Sequence, residues 1–150
     1  MNTSRLRSWL VHWMYAVVAA HLLAGILLPL VAGAAALEPY HHSIGTHFWG
    51  GAMPEAARAQ QIWWISLFGP TVQAASIWML VLLWIADKQR NAAAWLGLIA
   101  GLVIWAPQDI LISLQAQCTA NIWIDAIATL SMLPPLLWLF RHDLKARRTA

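Results

Sequence analysis

Two carboxylates, Asp109 and Asp125, sit inside long apolar stretches, and they are the residues best placed to do chemistry. A carboxylate near the centre of a spanning helix costs about 2.5–3.5 kcal/mol on insertion scales, and less toward the interface. Acids kept at such depth suit the binding of a proton, a cation or a hydrogen-bonding ligand. Brought close together, two like charges resist ionising at once, which also suits proton exchange. Their neighbours extend the polar face. Ser113 follows Asp109 by four residues, and Asn121, Asp125 and Thr129 recur at the same interval. Ser66, Gly69, Gln73 and Ser76 form a small-and-polar stripe at 3-4-3 spacing. Gly97 and Gly101 form a GxxxG whose face continues through Gln108 and Gln115, and His21 precedes Gly25 by four.

Two readings of this set stand side by side. In the first, the acids are shallow enough to be wetted, and the amides and hydroxyls join helix to helix. In the second, Asp109, Asp125, Gln73, Gln108, Ser113, Asn121 and His21 are candidates for an outward-open ligand or proton site.

A second group lies between Glu38 and His47, where His41, His42 and His47 accompany one acid. Imidazole and carboxylate suit zinc, copper or nickel, but the spacing matches no HExxH-type signature. Interfacial histidines beside Phe48 and Trp49 are the competing account. A b-type haem needs axial ligands from facing helices, whereas His12 and His21 share one helix. The single Cys118 excludes an internal disulfide framework and CxxC chemistry. No GxSxG and no phosphate-cradling glycine loop occurs, so no cofactor is expected.

The elements that must carry these residues follow from composition. The chain is 61% apolar and 10% charged, against roughly 25% charged in soluble domains. A spanning helix needs about 20 apolar residues, and four segments qualify: 9–32, 62–86, 92–114 and 120–140. Residues 1–150 are thus expected to form one all-α transmembrane domain, a four-helix bundle with a long 33–61 loop. Pro54-Glu55 marks a helix start within that loop. Gly69-Pro70, Pro107 and Pro134-Pro135 should kink their helices. Asp109 then lies about 25 Å along its helix from Ala92, at a depth similar to that of Asp125 on the antiparallel neighbour.

Eight of the nine Lys and Arg fall near the N-terminus, in the 87–91 turn or near the C-terminus; Arg58 is the exception. Four spans put those three places on one side, which the positive-inside rule makes cytoplasmic. The long loop and both acids then face outward from an inner membrane. Arg5 and Arg7 before an apolar run ending at Ala34-Ala35-Ala36 imitate a secretory signal, but the run has spanning length, so an uncleaved first span is expected. Basic residues that flank apolar runs, with eleven Trp suited to the interface, point to membrane lipids as partners rather than nucleic acid.

The run Trp105-Ala-Pro-Gln-Asp109-Ile-Leu-Ile-Ser113, with Gly69-Pro-Thr71 and Leu133-Pro-Pro135, resembles a family of small uncharacterised four-span bacterial inner-membrane proteins. The resemblance covers most of the chain and implies fold and location without an activity. Four spans with buried acids are also similar in outline to the sterol isomerase and sigma-2-receptor-like proteins, with no motif matched residue by residue.

The first expectation for function is a non-enzymatic membrane protein that binds a small ligand or a membrane-protein partner through the outer polar cluster. A small proton- or cation-coupled transporter, with Asp109 as the binding group and a homo-oligomeric assembly, is the alternative. A membrane enzyme acting on a lipid or sterol-like substrate is the third.

Overall fold

The computed structural model describes residues 3–148, and the side chains of Arg147 and Arg148, part of the C-terminal basic group, lie outside what is described. The chain folds as α1 (Thr3–Val31), a 3-10 turn (Ala35–Leu37), α2 (Glu38–Trp49), α3 (Glu55–Lys88), α4 (Ala92–Gln115) and α5 (Thr119–Arg148). Among the described residues, four helices are long and apolar enough to cross a membrane: α1, α3, α4 and α5. The four expected spans fall inside them, except that α1 ends at Val31, one residue before the expected end of the first span. The protein is an all-α, four-helix bundle.

Each helix outruns its apolar stretch. α3 begins at Glu55 behind Pro54, as the sequence predicts, and so starts within the connecting loop. That loop holds an additional helix, α2, which is a correction to the reading of residues 33–61 as loop. Pro39 lies in its first turn, where a missing backbone donor costs nothing. Gly50 ends it in the left-handed conformation at φ 69°, its N–H donating to Thr46 O at 3.1 Å. Pro29, Pro70, Pro107, Pro134 and Pro135 all sit inside unbroken helical segments.

The turns between spans are short and locally specified. Asn91 caps α4, its Oδ1 accepting from the N–H groups of Ala93 (3.0 Å) and Ala94 (3.4 Å). Arg90 and Gln117 take positive φ values of 49° and 52° in the two turns. A non-glycine residue there costs about 1–2 kcal/mol, so other contacts must hold it.

α1 packs along α3, α3 on α4, α4 on α5, and α5 closes the ring on α1. The contiguous buried apolar core lies mainly in the half of the bundle that carries the termini, while Ala32 and Cys118 are buried separately at the loop end. Val11, Met14 and Val18 of α1 meet Leu83 of α3, Trp95 and Leu98 of α4, and Met132 and Leu136 of α5 there. In the other half, the loop end, α1 and α3 stay together through a close backbone contact. A Cβ on Gly69 would lie 2.5 Å from Pro29 Cδ and 2.7 Å from Gly25 O, and Gln73 Nε2 donates to Gly25 O at 3.0 Å. The expected GxxxG seam does not form within the chain: Gly97 and Gly101 are exposed, and a Cβ on Gly101 would meet nothing within 4 Å.

Candidate functional site

The two ends of the bundle treat polar groups in opposite ways. At the end carrying the termini, Asp143 of α5 is fully buried and saturated with donors. Arg7 of α1 grips it through Nε–Oδ1 and Nη2–Oδ2, both at 2.9 Å, in the bidentate geometry that suits guanidinium and carboxylate. Arg7 Nη1 also donates to Asp87 Oδ1 of α3 at 2.9 Å, and its Nη2 reaches the Asp87 carbonyl at 3.3 Å. Arg90 in the α3–α4 turn adds a 3.1 Å bond to Asp143 Oδ1. Trp95 Nε1 of α4 donates to Asp143 Oδ2 at 3.0 Å, and His142 Nδ1 lies 3.0 Å from Oδ1. One carboxylate thus ties together α1, the α3–α4 turn, α4 and α5, and through Arg7 reaches α3. A network with every member satisfied rigidifies a bundle. Its ion pair to Arg90 also helps offset that residue's left-handed backbone.

Sequence reasoning missed this hub. The basic residues served topology alone, and neither Asp87 nor Asp143 was singled out. The available signal was that four antiparallel spans bring Arg7, Asp87, Arg90 and Asp143 to one level, where two acids and two guanidiniums must meet.

The loop end is the reverse. Among the described residues, five buried side-chain atoms lack a hydrogen-bond partner: His41 Nδ1, both amide atoms of Gln61, Asp125 Oδ2 and Thr129 Oγ1. All belong to the loop-end half of the chain's path, and none to the hub. Asp125 is only 3% exposed. Thr129 follows it by one helical turn on the same face. Asp109 of α4 is half-buried and close enough to act electrostatically on Asp125. Among the described residues no ion pair reaches either acid. Buried polar groups in native proteins are satisfied as a rule, so an exception on a carboxylate calls for a ligand, an ion or a proton.

α2 closes this region from above. Tyr40 reaches the side chains of Asn121 and Cys118 and senses Asp109. Burial pushes its phenol above the usual value, and the nearby groups act on it as well. His41 is buried and bonds through Nε2 to the carbonyl of Ala32 at 2.8 Å. Glu38 pairs with Arg58 of α3, with Oε2–Nη2 at 2.6 Å and Oε1–Nη1 at 2.9 Å. α2 is therefore pinned at its start to the top of α1 and to α3, with Tyr40 laid toward the acids.

The remaining candidates divide. Ser113 is buried on α4, and Asn121 is half-buried beside Tyr40, so both belong with the acids. Gln73 is committed to the α1–α3 seam by its bond to Gly25 O. Gln108 is exposed and donates to Ile104 O of its own helix at 2.6 Å. His21 bonds through Nδ1 to Val17 O at 2.9 Å, again within its helix. These three do not join the acid cluster in the contacts they make. His41, His42 and His47 also diverge: the first is buried, the other two are exposed, and His47 stacks edge-on with Phe48. Among the described residues no group of three His, Cys, Asp or Glu is arranged to hold a metal ion.

No protein-family model matches the chain, and no curated protein and no solved structure matches it either.

Proposed function

We propose that this is a multi-pass protein of the bacterial inner membrane, with both termini cytoplasmic, that binds a small cation or hydrogen-bond-donating ligand through Asp125 and Asp109. The single observation that carries the reading is Asp125 Oδ2, buried and without a partner while Asp143 at the other end is saturated. Asn121, Ser113 and Thr129 supply neutral oxygens around the acids, and Tyr40 covers them. A ligand that brings positive charge or donors fits acceptor-only carboxylates; an anion does not.

The test is thermal unfolding of the full-length protein in detergent, in chloride salts of sodium, potassium, ammonium and methylammonium at constant ionic strength. A ligand that binds only the folded state raises stability by about 2.7 kcal/mol at a hundred times its Kd. At least one of these cations should raise the midpoint, and Asp125→Asn should remove that rise. Identical midpoints in all four salts would sink the proposal.

A second reading, proton- or cation-coupled transport, draws on the juxtaposition of two acids from adjacent antiparallel helices. A homo-oligomer would supply the walls that four helices lack. In proteoliposomes, cation flux carried by the wild type should vanish in Asp109→Asn, and equal flux in the variant would remove this reading.

A further inference from the structure

Beside the hub, at the end opposite the acids, a cavity of about 380 Å³ opens between the start of α1 and the α3–α4 turn. That volume falls within the roughly 300–1,000 Å³ of small-molecule sites. Its floor is Arg7, already neutralised by Asp87 and Asp143. Its rim carries Lys88, Arg90, His12 and His142, with hydroxyls from Ser4 and Ser8. Among the described residues Asp87 is the only acid in the wall, and its Oδ1 is taken by Arg7. Lys88 is exposed and only 3.7 Å from Asp87 Oδ2, a loose pairing that leaves ammonium donors for another acceptor. His12 is exposed and bonds through Nδ1 to Ser8 O, which directs its other ring nitrogen elsewhere.

We infer that this cavity binds a phosphate group, carried by a lipid headgroup or by a soluble phosphate compound. Cations and hydroxyls that converge on a cavity whose one acid is already paired match the oxygens of a phosphate and repel a cationic ligand. The depth fits a headgroup. Trp9 and Trp84 are exposed at this end, Trp9 stacks on Trp13 with ring centroids 6.1 Å apart, and exposed indoles mark the membrane–water boundary. The site stands apart from the acid cluster at the loop end, so either assignment holds or fails without the other.

The test uses full-length protein in detergent and three probes: phosphatidylglycerol, diacylglycerol with the same chains, and inorganic phosphate. Native mass spectrometry should show phosphatidylglycerol retained at least tenfold over diacylglycerol. A His12→Gln/Lys88→Gln double variant should weaken that retention about tenfold, the size expected for losing one charge-assisted contact. Neither side chain is a main link of the hub, and equal melting without probe would show that the variant is folded. Single Lys88→Gln serves if the double variant melts early. Protection by the lipid alone assigns a headgroup; protection by inorganic phosphate as well, lost in the variant, assigns a soluble phosphate. Equal retention of both lipids with no effect of phosphate, or retention unchanged in the variant, overturns the inference.

Discussion

Asp143 and Asp125 are the same residue type in the same helix, both buried, and their surroundings give them opposite roles. Asp143 accepts from Arg7, Arg90 and Trp95, so its charge is matched and directed. Removing one partner of a buried ion pair leaves the other uncompensated and costs about 3–5 kcal/mol. Asp143→Ala should therefore lower stability by about 3 kcal/mol or more in denaturant titration, and Arg7→Met should fall nearly as far. A loss under about 1 kcal/mol for both would show that the hub is ornamental. Asp109 and Asp125 were legible in the sequence because carboxylates inside apolar stretches cost too much to be ignored. Asp143 was not, because an acid among basic residues at a helix end looks like ordinary surface. Only the packing of four helix ends at one level makes it the most buried charge in the described chain.

At the scale of elements, α1 and α3 owe their close approach to two glycines. A Cβ at Gly69 would sit 2.5 Å from the ring of Pro29, a contact that backbone and a rigid ring cannot yield to. Gly69→Ala should force the helices apart and cost about 1–3 kcal/mol, as overpacking does. Gly101→Ala meets open space and should be neutral or slightly stabilising through helix propensity. Equal losses for the two in unfolding experiments would deny the seam. Both glycines drew attention in the sequence, but spacing alone cannot tell a helix face that meets a partner from one that meets lipid. α2 was missed for a related reason: its twelve residues, Glu38–Trp49, are polar and short, and the helix persists because its ends are tied down. One tie is sensitive to acid. The hydrogen bonds from Arg58 hold the Glu38 carboxyl below the usual carboxylate range. A depressed folded-state value means that the tie is fully present above that range and is lost as pH falls through the depressed value. Hydrogen exchange in α2 should accelerate between neutral pH and about pH 3, after correction for the intrinsic rate, beyond any change in α4. Glu38→Gln should already show the acidic behaviour at neutral pH, and an α2 equally protected at both pH values would contradict this.

For the whole molecule, span number and the antiparallel order were readable from apolar runs of spanning length separated by short polar turns, whereas the helix ends were not, because α1, α3 and α5 run several residues past those apolar stretches. The uneven core was not readable either. Apolar residues fill both halves of each span, and in a membrane they serve lipid as readily as one another. The structure places its buried apolar cluster toward the termini and, among the described residues, leaves polar atoms without partners toward the loop, so one end of the bundle is anchored and the other carries unsatisfied polar groups. The proposed cytoplasmic placement of the termini rests on the basic residues near them and on the positive-inside rule. Reporter fusions at the N- and C-termini should both register as cytoplasmic, and a periplasmic signal from either would reverse the assignment. The division between ends is tested most directly by the unfolding midpoints of Asp125→Asn and Asp143→Asn beside the wild type, in one detergent without added ligand. Asp125→Asn should remain within about 1 kcal/mol of the wild type or exceed it, because it removes an unmatched buried charge. Asp143→Asn should fall well below. A loss in Asp125→Asn as large as that in Asp143→Asn would make the loop-end acid a structural link, and would contradict the binding role proposed for it.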